Sequence, residues 1–282
     1  MKAVLVLNAG SSSLKFALFP LEPTLATKPA LSGQIEGIGA TPELSAKDAN
    51  GERFHEPVAT LGEQSEQHRD ALNHLFHWLA AHNPDLEIAA AGHRVVHGGD
   101  LYSAPVKLSE ALLRELDTFV PLAPLHQPHN LRAVRAVATL MPAVPQVACF
   151  DTAFHRTQPA VAQAFALPRA ITAEGVKRYG FHGLSYDYVA RQLPDIIGER
   201  AHGSVVIAHL GIHETSAVCA QTQILERDAS ASLRTALHDA DVSASERHGA
   251  NLGRCKIILG DRIVDAVGPD CDVDRIADNR ER

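Results

Sequence analysis

The sequence predicts an α/β fold of about two domains, from two repeating patterns and from the chain length. Short runs of Val, Leu and Ala recur along the first 210 residues, and each is long enough for a buried strand but too short for a typical helix. Longer stretches between these runs repeat apolar residues at helical spacing. The length of 282 residues corresponds to about two domains at roughly 150 residues each. Strands that alternate with helices are typical of an α/β architecture.

The individual elements follow from these patterns. The strand pattern occurs in four segments: Ala3–Leu7, Leu14–Phe19, Gln146–Phe150 and Ser204–His209. A first helix is predicted over His68–His82. Ser109 is a suitable N-cap for a second helix, whose apolar stripe comprises Leu112, Leu113, Leu116 and Phe119. Asn130 precedes a third helix, which Pro142 stops.

The tail after Gly211 has a weaker pattern. Residues 229–245 are rich in Ala, Ser and Asp and contain no sustained apolar stripe. Further along, Lys256–Leu259 and Arg262–Val267 flank Gly260-Asp261, which predicts a hairpin with a two-residue turn.

The composition excludes two classes of partner. Lys and Arg total 26 against 33 Asp and Glu, a formal charge of −7, whereas a nucleic-acid-binding protein needs a concentrated basic face. No segment approaches the ~18 apolar residues of a membrane span, and the apolar run at the N-terminus is too short for a secretory signal. The four cysteines form no C-x-x-C pair, as expected of free thiols in a reducing compartment. We therefore expect a cytoplasmic protein that binds neither nucleic acid nor membrane.

The segment from Asn8 to Lys15, Asn-Ala-Gly-Ser-Ser-Ser-Leu-Lys, directly follows a predicted strand. Small residues let backbone N–H groups approach an anion, hydroxyls add donors, and the lysine supplies a positive charge. The composition therefore suits a phosphate-binding loop, although no G-K-[ST] follows. A β-hairpin turn that simply prefers Gly and Ser is the alternative.

Arg94 lies in the segment His93-Arg-Val-Val-His97-Gly-Gly. A guanidinium beside a glycine-rich loop suits a carboxylate or phosphate ligand, and a structural ion pair is the alternative. His93 and His97 have the i, i+4 spacing of a zinc pair only if they lie on a helix, which the Val-Val and Gly-Gly context disfavours.

Two further candidates occur downstream. Asp151 follows a predicted strand, where α/β proteins hold ligands, although an aspartate there also serves as an N-cap or turn residue. His182 lies between glycines, and a structural histidine is the alternative. An anion-binding loop, a guanidinium, a carboxylate and an imidazole together suit phosphoryl transfer.

The motifs that carry these candidates resemble the acetate kinase family (acetate/propionate kinases). The resemblance extends from Met1 to about Gly211, through the runs NAGSSSLKF, AGHRVVHGG, PLAPLHQPHN, FDTAFH and YGFHGLSYDYV. It implies a two-domain, actin-like ATPase (ribonuclease H-like) fold, with residues 1–150 as the first domain and residues 151–282 as an incomplete second one. It also implies reversible transfer of the ATP γ-phosphoryl group to acetate, giving acetyl phosphate and ADP, with Mg²⁺ or Mn²⁺. It further implies a homodimer, since related kinases are typically dimers.

The resemblance also implies roles for individual residues. Asp151 matches the catalytic acid/base and metal-organising carboxylate, and Asn8 matches the magnesium-site asparagine. His182 matches the residue that stabilises the transferring phosphoryl group. The residues that match the substrate site are Arg94, which binds the acid, and the methyl pocket of Val96, Leu125 and Phe181. Those that match the nucleotide-phosphate site are Ser11, Ser13, Lys15, His209, Leu210 and Gly211.

The sequence departs from the family pattern after Gly211. The family continues with Asn-Gly, whereas this chain continues with Ile212-His-Glu-Thr. The family's Met-Gly-Thr-Arg segment, its adenosine-binding glycine loops and its late magnesium-ligand glutamate have no match here. Three hypotheses follow: an acetate kinase, a catalytically dead remnant that is truncated or frame-shifted, and a small-anion or metal-binding module. These departures predict low or absent turnover for this polypeptide.

Overall fold

The computed structural model describes residues 1–59, 62, 66–202, 204–210, 215–220, 223–228, 254–259 and 262–266. The chain divides into two compact units, Met1–Asp151 and Thr152–Arg282, which are treated separately below. None of the helices in the described ranges combines the length and apolar character that crossing a bilayer requires.

An eight-stranded sheet forms the centre of the first unit, in the order β5-β4-β3-β2-β1-β6-β8-β7. The strands are β1 (Lys2–Ala9), β2 (Ser13–Pro20), β3 (Leu31–Glu36), β4 (Glu43–Asp48), β5 (Arg53–Pro57), β6 (Glu87–Val95), β7 (Val106–Lys107) and β8 (Gln146–Phe150). β1 pairs antiparallel with β2 and parallel with β6, and β6 pairs parallel with β8. The predicted strands β1, β2 and β8 are confirmed. Parallel pairs joined by helices confirm the α/β class for this unit.

Two helices, α1 (Gln67–His82) and α3 (Gln127–Leu140), cover one face of this sheet. Alternate residues of the strands point toward them, so that Leu5 and Leu7 of β1 pack with Leu75 of α1 and Val137 of α3 in one apolar core. A shorter helix, α2 (Glu110–Asp117), and a 3₁₀ turn, Val120–Leu122, precede α3. The remaining strand positions, including Asn8, point to the opposite face.

The helix predictions hold with two corrections. α1 is confirmed, and Ser109 caps α2, because its side chain accepts a hydrogen bond from Leu112 N–H. Phe119 does not belong to the α2 stripe, since that helix ends at Asp117. The prediction that Asn130 precedes α3 is wrong: the helix begins at Gln127, because Pro128 fits its first turn, and Asn130 lies inside it.

The second unit contains α4 (Ala160–Gln163), α5 (Arg169–Ala173) and α6 (Gly183–Ile197), with 3₁₀ turns at Phe154–Thr157 and Gly198–His202. Its five-stranded sheet has the order β11-β10-β9-β12-β13. The strands are β9 (Ser204–Leu210), β10 (Thr215–Ala220), β11 (Gln223–Asp228), β12 (Arg254–Leu259) and β13 (Arg262–Ala266). One face of α6 packs on β9 through Tyr186, Val189, Leu193, Val205 and Ile207.

Two strand predictions for this unit are confirmed. β9 occupies the predicted segment, and β12 and β13 pair antiparallel from Leu259 and Arg262 outward, as the hairpin prediction requires. The turn residues Gly260 and Asp261 and the segment 229–245 lie outside the described residues.

Candidate active site

Three candidate residues of the first unit lie where neighbouring parallel strands end. Leu7 of β1 pairs with His93 of β6, and Val95 of β6 pairs with Phe150 of β8. The next residues along these strands are Asn8, Arg94 and Asp151. Because the carboxyl ends of parallel strands meet at one edge of the sheet, these side chains converge there, where α/β sheets bind ligands.

Arg94 contacts both of the other residues. Its Nε donates a 2.8 Å hydrogen bond to Asp151 Oδ2, Nη2 donates to the same oxygen, and Nη1 donates a 3.1 Å hydrogen bond to Asn8 Oδ1. Asp151 is only 2% exposed. Since both guanidinium contacts fall on Oδ2, the second carboxylate oxygen lies outside this ion pair.

The electrostatic balance keeps Arg94 charged. Burial by itself would lower the pKa of Arg94, but the negative charge of Asp151 and its hydrogen bonds outweigh burial and raise that pKa. The ion pair considered as an alternative for Arg94 is therefore present, and its partner is the other leading candidate.

The segment after Asn8 forms a hairpin turn. Gly10 N–H donates to the carbonyl of Ser13 at 2.8 Å, and Asn8 pairs with Lys15 across the two strands, so both side chains lie on the sheet face opposite the helices. Ser11 is exposed and Ser13 is half-buried. The structural alternative is therefore correct as a description of the backbone, and the anion-binding interpretation stays a prediction.

The residues predicted to form the methyl pocket differ in exposure. Val96 is buried directly after β6, whereas Leu125 is 74% exposed in the connection before α3. Phe181 is half-buried and belongs to the second unit. That the three line one pocket stays a prediction.

His93 and His97 do not share a helix face. His93 points into the core from β6, with its Nε2 2.7 Å from the side-chain amide of Gln146. His97 follows β6, and its Nδ1 accepts a 2.9 Å hydrogen bond from Gly99 N–H. Both rings are buried and bonded within the protein fold. Among all described residues, no group of three or more His, Cys, Asp or Glu side chains is arranged to hold a metal ion.

The second unit brings His182 and His209 together. His182 has a left-handed backbone (φ 57°) immediately before α6, and its ring stacks on that of His209 with centroids 4.1 Å apart and planes within 6°. Leu210 ends β9, its side chain is not described, and Gly211 lies outside the described residues.

Several buried polar residues around these groups were not predicted. Gln127 and Asn130 of α3 bond to the backbone beside the first group, at Val96, His97 and Ala9. His155 Nε2–H donates to the Phe181 carbonyl at 2.8 Å and so holds the peptide that precedes His182. Gln127, Asn130 and His155 all lie inside the runs PLAPLHQPHN and FDTAFH. Membership of these runs is the only sequence feature that pointed to them.

Comparison with known proteins identifies relatives for most of the chain. The sequence model of the Acetokinase family matches residues 3–226. The acetate kinase of Rhodopseudomonas palustris is 48% identical over 211 residues, which cover 74% of this chain and 52% of the relative.

Solved structures give a similar result. An acetate kinase of Porphyromonas gingivalis matches with a TM-score of 0.66 at 32% identity, and a propionate kinase of Francisella tularensis with 0.68 at 30%; each match covers 80% of this chain and 56% of the solved one. The chain thus spans about half the length of the curated relatives it matches. The likeness confirms the predicted actin-like ATPase fold, and together with the family match it shows that the chain belongs to the acetokinase family.

Proposed function

We propose that this chain binds acetate or propionate, and the corresponding acyl phosphate, beside Arg94, and that it transfers a phosphoryl group between that acid and ATP. The observation that carries the proposal is the cluster of Asn8, Arg94 and Asp151 at the carboxyl ends of β1, β6 and β8, in a chain of the acetokinase family. The phosphoryl group passes from acetyl phosphate to ADP, which gives acetate and ATP, and the reverse reaction returns it from ATP to acetate.

Arg94 is the anion-binding residue in this proposal. Its guanidinium keeps its charge because its pKa is raised, and its planar donors match a carboxylate or a phosphoryl group. It is also held in place by hydrogen bonds from three of its nitrogens. A preorganised cation of this kind stabilises negative charge that develops on a transferring phosphoryl group.

Asp151 and Asn8 are the residues that would hold Mg²⁺. Mg²⁺ prefers oxygen donors and binds through one or two carboxylates together with substrate phosphates, rather than through an all-protein cage. The carboxylate of Asp151 and the amide oxygen of Asn8 fit this donor set, and Oδ1 of Asp151 is not taken up by the ion pair with Arg94. When bound, the ion neutralises charge on the phosphate oxygens. Mn²⁺ has the same donor preference.

The other assignments are proposals that rest on the resemblance. His182 would stabilise the transferring phosphoryl group. The nucleotide phosphates would contact Ser11, Ser13, Lys15, His209, Leu210 and Gly211. Val96, Leu125 and Phe181 would receive the methyl group of the acid, and one methylene changes such binding by only ~1–3 kcal/mol, so acetate and propionate are both substrates in this proposal.

Three broader expectations complete this proposal. Residues 1–150 would form the first ATPase domain and residues 151–282 part of the second. The protein would act as a homodimer in the cytoplasm.

Binding without rapid turnover is the second candidate. Its support is the sequence after Gly211, where Ile212-His-Glu-Thr replaces the family's Asn-Gly and introduces a negative charge near the predicted phosphate loop. The Arg94 cluster is independent of this segment.

The proposal is tested by measuring ATP formation from ADP, Mg²⁺ and acetyl phosphate with luciferase, which detects slow turnover. Asp151→Asn keeps the size of the side chain but removes its charge, and it should lower the rate by at least about 100-fold. Asp117→Asn is the matched control, because Asp117 pairs with Arg135 on the surface; it should leave the rate unchanged.

The outcomes separate the two candidates. Turnover that depends on Asp151 supports the kinase. Saturable binding of acetyl phosphate by calorimetry without turnover favours the binding module. If neither turnover nor binding is detected, the proposed function is wrong.

A further inference from the structure

The first turn of α3 contacts the backbone on which Asn8 and Arg94 are carried. Gln127 and Asn130 are three residues apart and therefore lie on the same helix face. Both side chains are buried, with 0% and 3% exposure. Both lie in the run PLAPLHQPHN, from which the proposed function uses only Leu125.

Asn130 joins the ends of two strands. Its Nδ2 donates a 2.6 Å hydrogen bond to the carbonyl of Ala9, which follows Asn8 in β1. Its Oδ1 accepts a 3.0 Å hydrogen bond from the N–H of Val96, two residues after Arg94. One amide thus satisfies a backbone acceptor 121 residues away and a backbone donor 34 residues away in the sequence.

This bridge begins where the main-chain pairing stops. The parallel register between β1 and β6 ends at Leu7 and His93, one residue before Asn8 and Arg94. Gln127 adds a second tie at the same place, because its Oε1 accepts from His97 N–H and its Nε2 donates to the His97 carbonyl, both at 3.0 Å.

We propose that Asn130 is a positioning residue: by bridging Ala9 and Val96 beyond the end of the strand ladder, it sets the separation between Asn8 and Arg94. The contact that depends on this separation is the 3.1 Å hydrogen bond from Arg94 Nη1 to Asn8 Oδ1. The geometric part of the inference stands on these contacts alone. Its catalytic consequence rests on the proposed function.

The chemistry of the bridge supplies a reversible test. The position requires a donor and an acceptor on one short side chain. In Asn130→Asp, an ionised carboxylate keeps the acceptor for Val96 but turns an oxygen toward the Ala9 carbonyl. A protonated carboxyl group restores both hydrogen bonds, and burial beside a carbonyl favours that protonated form. The nearby ionisable groups, Arg94, Asp151, His97, His126 and His129, are present in the wild type, in Asn130→Asp and in Val137→Ala, whose signals are compared.

The direct readout is the nuclear magnetic resonance signal of the Arg94 Nε–H group, which donates to Asp151. Its assignment follows from its loss in Arg94→Lys. In Asn130→Asp we expect this signal to be displaced from the wild-type position at pH 7.5 and to return toward it at pH 5.5, with wild-type protein measured at both pH values. The control is Val137→Ala, which removes buried volume from the same helix about two turns after Asn130.

Three results would overturn the proposal. The signal could match wild type at pH 7.5, it could be displaced equally at both pH values, or Val137→Ala could displace it as much as Asn130→Asp does. Each would mean that Asn130 supports general packing only.

Kinetics give a second readout. If the wild-type chain has measurable turnover, the KM for acetyl phosphate in Asn130→Asp should be about 10-fold to 100-fold above the wild-type value at pH 7.5. At pH 5.5 the KM of the variant should return toward that of wild type. Such a change is expected for a small displacement of a positioned group. Absence of turnover in the wild-type chain would count against the proposed kinase function, while the resonance of Arg94 would still decide the role of Asn130.

Discussion

Replacing His93 with glutamine should make the free energy of unfolding of the first unit less sensitive to acid, because His93 is a buried histidine that the folded chain keeps neutral. His93 is 3% exposed in β6, and burial lowers its pKa from 6.5 to about 4, with a smaller opposing effect from its hydrogen bond to Gln146. The amide orientation that satisfies every partner has the nitrogen of Gln146 donating to His93 Nε2 and to the Val134 carbonyl. A neutral imidazole is the form that accepts this bond.

The sign and the size follow from linkage. Between pH 6.5 and about 4 the unfolded chain binds a proton at His93 and the folded chain does not, so the folded state loses stability as the pH falls through this range. The stabilisation is fully present above pH 6.5. Lowering the pH from 7.5 to 5.0 should remove about 2 kcal/mol of the free energy of unfolding through this residue.

Urea unfolding followed by tryptophan fluorescence measures this effect, because Trp78 is the only tryptophan in the sequence and lies in the core of the first unit. From pH 7.5 to 5.0, the free energy of unfolding of wild type should fall by about 2 kcal/mol more than that of His93→Gln. His68 and His129, whose pKa values are also lowered by burial, are common to both proteins and cancel in the difference. Equal falls in the two proteins would refute the reasoning.

Three further substitutions test the packing around the site by urea unfolding at pH 7.5. Arg94→Met leaves the buried carboxylate of Asp151 unpaired and should cost about 3–5 kcal/mol; a loss below about 1 kcal/mol would mean that the pair is solvated. Gly99→Ala should cost about 1–3 kcal/mol, since φ is +58° and the new Cβ would lie 2.5 Å from the Phe119 ring; unchanged stability would show that the ring moves freely. Ser109→Ala removes the α2 cap and should cost about 1 kcal/mol, whereas Ser109→Thr should retain most of that stability.

The parts of the fold that the sequence predicts best are those with a strong apolar period. β1, β8 and α1 alternate or repeat buried residues so regularly that their positions follow from the pattern. The strands β3, β4 and β5 were not predicted because they mix polar with apolar residues on the outer part of the sheet. The start of α3 was missed because Asn130 was interpreted as a cap, whereas its side chain bonds two distant strands.

The candidate site likewise contains residues that the sequence predicts and residues that it does not. Asn8 and Asp151 were found because each follows a predicted apolar strand run, and Arg94 because its guanidinium precedes a glycine-rich loop. Parallel strands bring these positions together at one edge of the sheet. Gln127, Asn130 and the His93–Gln146 pair have no local signature, since their partners lie tens of residues away and only the folded sheet brings them within hydrogen-bond distance. Tertiary hydrogen bonds of this kind are outside what periodicity can predict.

The most direct test of the account is a calorimetric titration of acetyl phosphate into the 282-residue chain and into Arg94→Ala. The account predicts saturable binding to the wild-type chain and affinity at least about tenfold weaker in the variant, because Arg94 supplies the guanidinium that holds the anion. Equal affinity in the two proteins would contradict the assignment of the site to Arg94.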